Sequence, residues 1–574
     1  MTAPVDADGP TDRPTRRPPG RPPESETERG PADRTTSLAR TSGVMAIGTI
    51  ASRGTGVLRT IVIAAAVGSA GQLADAYNIP NAAPNAVYDL LLGGILTSVV
   101  VPLLVKAVKD DAKAGEEYAQ RLLTLVAVLL GACTIVAVLF APFVVDVYGG
   151  FTGEQRTLAI TFARYFLPQI FFYGMSAIIG AILNTRGRFA APMWTPVLNN
   201  IVLIVTGAIF IAVTAHKHDV TLTHGQTVLL GVGTTAGVVV QTLALWPSLR
   251  ASGFRFRPRF DWRGAGPNSL SAAGKLAGWV LVYVVMNQIG FAVVTHLGRA
   301  AGAAARAHNV GHGDTFSAYN YAYQLFQLPY AIVAVSVITA LLPRMSAHAV
   351  DGRLDAVRTD LSTGLRTTAV AVIPAAIALI ALAPQLSEVV FRHHSITTAD
   401  ARYIAWVIVG FAVGLVPFCV FQTMLRAFYA LHDTRTPALI NLVATAFNIA
   451  ADFALYVALP TGWRAFGLAL GFSASYWLAT LMTVRAVGRR LQGVDGRRVL
   501  RTYVRLFVAS VLAGLVAFAL AQLSTALLGD AFAGAVVALV AGGGIGGALL
   551  LSLAGRMRIT EATSLVHAVR SRLS

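Results

Sequence analysis

Apolar segments long enough to cross a membrane recur along most of this chain. A helix needs roughly 20 predominantly apolar residues to cross a hydrocarbon core of about 30 Å. Fourteen such runs centre near residues 56, 93, 134, 172, 203, 236, 286, 331, 377, 415, 447, 476, 515 and 543. Charged residues make up 13% of the chain, against about 25% in a typical soluble domain. The pattern predicts an all-α polytopic membrane protein of about 14 transmembrane helices, whose short loops hold no large soluble catalytic domain.

The distribution of lysine and arginine predicts the orientation of the chain. Cytoplasmic loops retain these residues, and the even-numbered loops carry about 25 of them against about 8 in the odd-numbered loops. With an even number of spans, both termini are predicted to be cytoplasmic, in a bacterial plasma membrane. The formal charge of +18 then reflects topology and a match to anionic lipid headgroups. No nucleic-acid partner is expected, because no basic face is interleaved with stacking aromatics.

An internal repeat divides the apolar part of the chain into two similar lobes. Residues 167–201 and 416–449 share an apolar span opened by proline, a basic turn, a second proline and a span that carries Asn-Ile. Corresponding positions in the two segments are 245 to 249 residues apart. This near-constant offset predicts two six-helix lobes related by a parallel repeat, an arrangement that places a substrate site between the lobes near the midplane.

The repeat also sets the predicted domain boundaries. Residues 1–40 are expected to form a disordered Pro/Arg-rich cytoplasmic tail, because they offer almost nothing to bury. The remaining predicted segments are an N-lobe over 41–250 (spans 1–6), a basic cytoplasmic loop over 251–273, a C-lobe over 274–490 (spans 7–12), and two further spans with a cytoplasmic tail over 491–574. Cys133 and Cys419 both lie in apolar runs, where buried small hydrophobes are expected rather than a disulfide or a metal site.

Two arginines, Arg53 and Arg59, lie inside the first apolar run. A guanidinium at the centre of a membrane helix costs roughly 2.5 to 3.5 kcal/mol on insertion scales, so such residues normally face a polar path or a partner. Six residues correspond to about 240° around a regular helix, so the two side chains would not share a face. Gly54 and Gly56 between them permit a bend or hinge that turns both toward one cavity. The alternatives are a structural salt bridge or snorkelling to the membrane surface.

Five short elements of the sequence carry a family resemblance. They are SRGTGVLR (52–59), the DAY tripeptide at Asp75, the Pro-Asn dipeptide ending at Asn85, GAILNTRGRFAAPMWTPVLNNI (180–201) and AFYALHDTRTP (427–437). These segments resemble the MurJ/MviN family of lipid II flippases, within the multidrug/oligosaccharidyl-lipid/polysaccharide exporter superfamily. The resemblance implies fourteen spans, a cationic cavity between two lobes, a groove for a polyprenyl tail on the last two spans, and alternating access that carries a diphosphate-linked cell-wall precursor outward.

The resemblance further implies which residues meet the cargo. The family's functional arginines of the first span fall on Arg53 and Arg59, and its acidic residue after that span falls on Asp75, for which a gate-locking role is the alternative. Arginine suits a diphosphate because its planar fork binds phosphate bidentately and keeps its charge. The predicted substrate-binding set is completed by Asn85, Gln324 and Arg426, the last with a cytoplasmic anchor as its alternative reading.

The chain departs from the family pattern at three positions. The second span has Tyr88 and Gly93 where members commonly place an arginine and an acidic residue, and the eighth span has Gln324 where members usually supply an arginine. The cavity is therefore predicted to have lost charge, with Arg53 and Arg59 as its principal phosphate contacts. Polar residues around Gln324 are otherwise explained as contacts between helices.

A candidate cation site lies in the eleventh span. Asn448 and Asp452 are four residues apart and so share one helical face, and oxygen ligands suit a hard cation. The resemblance implies sodium, with coupling to the membrane potential as the alternative. The seventh span offers only Asn287 and Gln288 as further ligands. The structural alternative is an aspartate hydrogen-bonded to a neighbouring helix.

Three function classes follow from these observations. The favoured one is translocation of lipid II or a similar lipid-linked precursor, with other polyprenyl-linked oligosaccharides as alternative cargo. A MATE-like drug or cation antiporter would be expected to have twelve spans and carboxylates as the main charged residues of its cavity, whereas arginines predominate here. A membrane-embedded transferase would need paired acids or a metal-binding acidic motif, and none is apparent. We therefore predict a monomeric transporter among membrane lipids, without chemical catalysis, cofactor or structural metal.

Overall fold

The computed structural model describes residues 48, 51–68, 72–90, 112–149, 151–188, 190–214, 222–260, 267–308, 310, 316–392, 397–431, 433–528 and 532–557. All of these lie in one compact unit, residues 48–574. The predicted disordered tail over 1–40 and Gly93 lie outside the described residues. All secondary-structure elements of the described part are helices, as the apolar runs predict.

The first half of the chain forms nine described helices, which we call the N-half. They are α1 (residues 51–67), α2 (Gln72–Leu90), α3 (Ala112–Leu139), α4 (Ala141–Gly149), α5 (Gly153–Phe166), α6 (Gln169–Thr185), α7 (Ala190–Thr214), α8 (His224–Leu243) and α9 (Leu245–Ala251). Pro168 lies in the two-residue turn between α5 and α6. Because proline cannot donate the helical N–H bond, the regular helix is interrupted there within one membrane-spanning segment.

The second half, which we call the C-half, begins with the 41-residue helix α10. Its elements are α10 (Pro267–Ala307), α11 (Phe316–Pro329), a π-helix (Tyr330–Ala334), α12 (Val335–Val350), α13 (Leu354–Ala381), α14 (Ala383–Phe391), α15 (Thr398–Ala430), α16 (Arg435–Ala458) and α17 (Arg464–Arg490). Two further helices follow, α18 (Gly496–Leu528) and α19 (Phe532–Arg556).

Ten helical segments of the described chain are long and apolar enough to cross a membrane. Each contains the centre of one of the fourteen predicted spans. Of the other four centres, residues 56, 286 and 331 lie in α1, α10 and the π-helix, whereas residue 93 lies outside the described residues. Three successive segments recur with matching lengths in the two halves: 33, 25 and 28 residues from 153 to 251, and 33, 24 and 30 residues from 398 to 490.

The apolar core shows where the halves meet. We call the end of the bundle where α1 finishes and α11 begins the distal end, and the opposite end, where α1 starts, the proximal end. A single buried cluster joins the halves through residues near the distal end, such as Ala76, Phe151, Leu297 and Phe316. Toward the proximal end each half has its own cluster, around Ile182 in the N-half and around Phe428 in the C-half with Met345 and Leu361.

The outer helices expose their apolar faces, as a chain surrounded by lipid requires. In the segment over 115–139 only 17% of the most apolar window is buried, against 83% in the segment over 153–185. Cys419 is buried as predicted, but Cys133 on α3 is exposed, so its expected burial within the protein is wrong. An apolar run does not distinguish a lipid-facing position from a core position, because both environments exclude water.

Candidate functional site

Helix α1 carries both arginines and is uninterrupted over residues 51–67. No break occurs at Gly54 or Gly56, and the two glycines have room for a methyl group, with nothing within 4 Å at Gly54 and only ordinary contact with Asn200 at 3.6 Å at Gly56. The arginines therefore point in different directions around α1, as a regular helix requires. Whether the glycines act as a hinge stays a prediction.

One face of α1 is fixed against α7 of the same half. The Asn200 amide donates to the Ser52 carbonyl and to the Thr55 hydroxyl, both at 3.0 Å. Two turns further along, a methyl group on Gly207 would lie 2.8 Å from Val62, so the missing side chain is what allows the helices to approach. This packing fixes the rotation of α1 and so turns Arg53 and Thr60, which are two turns apart on one face, toward the C-half.

Midway along α1 the two halves are joined by a polar contact. The Thr60 hydroxyl donates to the Gln324 side-chain oxygen of α11 at 2.6 Å. Gln324, predicted to bind substrate, is thus engaged with the other half. Nothing in the sequence singles out Thr60, since a threonine inside an apolar run is a common helix residue.

Nearer the proximal end, two arginines from different halves approach one tyrosine. The positive charges of Arg426 of α15 and of Arg53 of α1 both act electrostatically on the Tyr330 hydroxyl, and the effect of Arg426 is the larger. Arg426 also lies over the Tyr429 ring at 5.6 Å from its centroid. Its Nε is buried without a hydrogen-bond partner among the described residues. Arg53 and Arg426, two of the predicted substrate-binding residues, therefore both lie within electrostatic range of one tyrosine.

Tyr330 begins the five-residue π-helix between α11 and α12. A π-helical turn carries one residue more than an α-helical turn and is frequent at functional sites. Pro329 directly precedes it and lacks an N–H group, which removes one α-helical hydrogen bond at this point. The sequence signal for this site is therefore the Leu-Pro-Tyr tripeptide, whose proline marks an interruption inside the eighth span.

Arg59 belongs to a different environment, inside the N-half. It acts electrostatically on the hydroxyl of Tyr77, which is hydrogen-bonded to Thr234 at 2.7 Å. The Tyr77 ring packs edge-on against Phe162 and Phe166, with centroids 5.7 and 5.2 Å away. Arg53 and Arg59 are therefore not brought to one point in this conformation, and the predicted meeting of both in one cavity is not seen.

The halves are held together at the distal end by a buried polar cluster. The Ser317 hydroxyl donates to the Asp75 carboxylate at 2.8 Å, and the Asn78 amide donates to Ser317 at 3.2 Å. The Tyr321 hydroxyl donates to the Gly68 carbonyl at 2.8 Å. Asp75 is only 3% exposed. These contacts link the two halves, and the roles considered for Asp75, a cargo contact or a helix-flanking or gate-locking carboxylate, stay predictions.

A second set of contacts reinforces the distal end. The Arg299 guanidinium of α10 lies 3.8 Å from the centroid of the Phe151 ring and donates to Gln155 at 3.3 Å. His296, one turn before it, donates to the Val147 carbonyl at 2.7 Å. Arg299 also acts electrostatically on Asp75. A lone arginine at the end of a predicted span carries no sequence signal for this role.

Asn85 and the cation-site candidates have local partners. The Asn85 amide donates to the Asn81 carbonyl of its own helix at 2.8 Å, in the part of α2 that contains Pro80 and Pro84. The Asn448 amide donates to Asp452 at 3.0 Å, and the other oxygen of Asp452 is buried without a partner among the described residues. Asn287, expected near this site, instead accepts a hydrogen bond from Asn441 at 3.1 Å.

Proteins of known family resemble this chain along most of its length. A family model described as "Lipid II flippase MurJ" matches residues 63–539. A protein of Vibrio cholerae described as "Probable lipid II flippase MurJ" is 27% identical over 459 residues, which cover 78% of this chain and 82% of the relative. A protein of Burkholderia cenocepacia described as "Lipid II flippase MurJ" is 28% identical over 478 residues, covering 81% and 87%.

Solved structures share the fold. One of a lipid II flippase MurJ in an inward closed conformation aligns with a TM-score of 0.67 at 20% identity and covers 89% of this chain and 97% of that one. A multidrug resistance MATE family transporter in an inward-facing conformation aligns with a TM-score of 0.59 at 14% identity, covering 79% and 99%. At these identities the likeness concerns the fold alone.

Proposed function

The chain belongs to the MurJ family of lipid II flippases, and on that premise we propose that it translocates lipid II across the membrane by alternating access of its two halves. It is a multi-pass membrane protein. Parallel repeats of this kind bind substrate between the halves and expose it to one side at a time. The cargo carries a diphosphate, which hydrocarbon excludes, so a protein path between the halves must supply compensating charge.

The observation that carries this proposal is the approach of Arg53 and Arg426 to the Tyr330 hydroxyl from opposite halves. A diphosphate has two phosphoryl groups that two guanidinium groups bind bidentately. The buried Nε of Arg426, without a partner among the described residues, is a donor that an incoming phosphate oxygen satisfies. We infer that the diphosphate sits between these arginines, with Gln324 beside it in place of the family's additional arginine.

We infer that the conformation described is closed to the outside. The hydrogen bonds that Asp75, Gly68 and Arg299 form between the halves all lie at the distal end. The loops that join helices at the proximal end carry the excess of lysine and arginine, which supports a cytoplasmic proximal end with both termini on that side. Asp75 then acts as a gate residue whose contacts must break before the cargo is released outward.

Asp452 is our candidate for coupling translocation to a monovalent cation. Its carboxylate is fully buried, and its unpartnered oxygen faces Gly471, where any side chain would collide with it. An ionised carboxylate buried in this way needs a proton or a cation. Asp452 and Asn448 would hold sodium if it binds, and the ion would supply the compensating positive charge; direct coupling to the membrane potential is the alternative.

The same arrangement favours a flippase over a drug antiporter, because the cationic residues between the halves suit an anion rather than a cationic drug. We propose a monomeric transporter without chemical catalysis. A flippase for another polyprenyl diphosphate-linked saccharide is the second candidate, because Gln324 stands where the family usually has arginine.

Complementation tests the proposal. A strain depleted of its own lipid II flippase is supplied with the intact chain, Arg53→Gln, Arg426→Gln or the control Arg156→Gln. Arg156 lies outside the site and donates two 2.8 Å hydrogen bonds to Asp146, which hold the pKa of that exposed carboxyl below its usual value. Because a hydrogen bond to a charged group is worth about 1.5–3 kcal/mol, we expect each site variant to lower flipping about 10-fold or more and the control to retain it.

Two results would overturn the proposal. If the intact chain inserts stably and never rescues growth, lipid II is not its cargo, and proteoliposomes loaded with another polyprenyl diphosphate-linked saccharide decide the second candidate. If Arg53→Gln and Arg426→Gln both rescue as well as Arg156→Gln, the diphosphate does not bind between these arginines.

A further inference from the structure

A short non-helical segment, residues 252–260, follows α9 at the proximal end of the N-half, and we call it the basic strap. Its second residue, Gly253, has a φ of +82°, a conformation that glycine adopts without strain. Two side chains from the turn between α6 and α7 hold the start of the strap. Arg186 donates to the Ser252 carbonyl at 3.0 Å, and Arg188 donates to the preceding carbonyl at 2.8 Å. The strap is therefore fixed where it leaves α9.

The rest of the basic strap is fixed to α3. The Gln120 amide donates to the Arg255 carbonyl at 2.8 Å, and the Arg259 backbone N–H donates to the Thr124 hydroxyl at 3.1 Å. The Arg259 side chain also forms an ion pair with Glu117 at 3.2 Å. Ordering a backbone costs conformational entropy, whereas a loop that only sets the orientation of a membrane protein needs its charge and no fixed shape. The fixed backbone therefore favours a binding role for the strap.

Successive side chains of the basic strap point to opposite faces, as they do in an extended chain. Phe254 is buried in the apolar cluster of the N-half, and the half-buried Phe256 ring lies edge-on to Trp246 at 6.2 Å. Arg255 and Arg257, which alternate with these rings, are exposed. Neither guanidinium forms a hydrogen bond or an ion pair with the described residues. Two positive charges therefore face the same way, out from the protein.

The basic strap ends where the lipid-facing surface of α3 begins. Thr124, which binds Arg259, is buried, but from Leu125 onward α3 has an exposed apolar face, on which Leu129 is 63% exposed. Phe260 directly follows Arg259 and is 62% exposed. An exposed ring next to arginines suits the headgroup level of a bilayer, where the ring meets the apolar boundary and the guanidinium groups meet phosphates. The strap therefore lies at the height of the lipid headgroups.

We propose that the basic strap binds the phosphate of an anionic phospholipid in the leaflet at the proximal end, with Arg255 and Arg257 as the ligands and Phe260 at the apolar boundary. Arginine suits this ligand because its planar fork binds phosphate bidentately and is weakly hydrated. An acidic protein segment would meet the same charges, but the exposed Phe260 beside the lipid-facing part of α3 favours a lipid. The phospholipid is a resident of the membrane and not the cargo, so this site is independent of the proposed function.

Binding of phosphatidylglycerol to the full chain tests the site. The protein in detergent is titrated with phosphatidylglycerol or with zwitterionic phosphatidylcholine, and mass spectrometry of the intact complex gives the dissociation constant of the first lipid bound. One basic residue near an anionic lipid surface contributes a factor of about 5. We therefore expect the wild type to bind phosphatidylglycerol about 25-fold more tightly than phosphatidylcholine, and Arg255→Gln combined with Arg257→Gln to lose most of that preference.

Two further variants separate the geometry of the basic strap from its charge. Arg489→Gln combined with Arg497→Gln removes the same charge from exposed positions at the proximal end of the C-half, and it should keep the wild-type preference. Thr124→Val keeps every charge but removes the hydroxyl that accepts from the Arg259 N–H. Because a hydrogen bond contributes a factor of about 2 to 10, we expect Thr124→Val to lower the affinity for phosphatidylglycerol by about that factor.

A spin label on Phe260→Cys, in a Cys133→Ser background, measures the height of the basic strap in a bilayer. We expect this label to be more accessible to oxygen dissolved in lipid than to a water-soluble nickel chelate, and a label on Asp355→Cys, exposed in the C-half, to show the reverse.

Three results would overturn the phospholipid site. They are equal affinity of the wild type for the two lipids, an equal loss in the control double variant, and a label at residue 260 as accessible to water as the label at residue 355. The last result would make an acidic protein segment the better occupant of the basic strap.

Discussion

Thr60 of α1 and Gln324 of α11 are joined by a 2.6 Å hydrogen bond across the two halves of the bundle. The contact lies between the distal cluster around Asp75 and the proximal pair Arg53 and Arg426. The contact is therefore a neutral link between the halves.

Adding a positive charge at Gln324 should compensate for the loss of another. We expect Arg53→Gln to lower lipid II flipping about 10-fold or more, as a lost charged hydrogen bond predicts, and Arg53→Gln combined with Gln324→Arg to recover at least part of the loss. Flipping is measured in proteoliposomes. Gln327→Arg, three residues further along α11, is the control and should give no recovery; equal activity of the two double variants would argue against a phosphate site next to Gln324.

Removing the Asp75 carboxylate should open the distal end. Ser317 would lose the carboxylate that accepts its hydrogen bond, and a hydrogen bond to a charged group is worth about 1.5–3 kcal/mol. We expect Asp75→Ala to raise the population of distally open molecules about 10-fold or more, and Asp75→Asn to raise it less, since an amide oxygen still accepts from Ser317.

Electron–electron distances between spin labels at Glu154 and Ala303, both exposed near the distal end, measure this opening. The labelled background carries Cys133→Ser, because Cys133 is exposed. Asp355→Ala, an exposed carboxylate of the C-half, is the control. An unchanged distance distribution in Asp75→Ala would show that the carboxylate does not hold the gate.

Arg299 should contribute to the closed distal end through stacking as well as charge. A cation over an aromatic face is worth about 0.5–2 kcal/mol, and the ammonium of lysine lacks the planar group that stacks on Phe151. We therefore expect Arg299→Lys to shift the same spin-label distances toward the open state by about 2- to 30-fold in population. Phe151→Leu should have a similar effect. The free-energy change of opening in the double variant should be smaller than the sum of the two single changes, and full additivity would rule out a direct interaction.

The glycines of α1 provide a test of the hinge prediction. Because Gly54 has nothing within 4 Å of an added methyl group and Gly56 only ordinary contact, alanine fits both positions, and it favours a helix by about 0.8–1.0 kcal/mol over glycine. We expect Gly54→Ala and Gly56→Ala to keep or raise the melting temperature while lowering the flipping rate. Gly131→Ala in α3, also in open space, is the control; unchanged flipping in all three would leave no role for a hinge.

Features that depend on local composition are readable from the sequence. The apolar runs predict the ten membrane-crossing segments of the described chain, and the 245- to 249-residue offset predicts halves whose successive helices match in length. Because burying a guanidinium in lipid is costly, the position of Arg53 in an apolar run is enough to mark it as a candidate functional residue. These inferences need only a window of neighbouring residues or a comparison of the chain with itself.

Contacts with a residue far along the chain cannot be predicted from local composition. Asn85, expected at the cargo, bonds to its own helix, and the Tyr321 hydroxyl is engaged with the Gly68 carbonyl. Asn287 is expected near Asp452 and is found with Asn441 instead. A polar residue in an apolar span is expected to have a polar partner, but the neighbouring sequence does not show on which helix that partner lies.

The sequence by itself determined that this protein lies in a membrane, repeats one helical unit and carries arginines too costly to leave in lipid, because hydrophobicity and charge act residue by residue. Only the tertiary structure decided that Arg53 and Arg426 both act on Tyr330 while Arg59 acts on Tyr77, and that Asp75 is hydrogen-bonded to Ser317 of the other half. The directions of Arg53 and Arg59 are set by the rotation of α1, which the Asn200 contacts and the close approach at Gly207 fix. These contacts join residues about 145 positions apart, so a window of neighbouring residues does not reveal them.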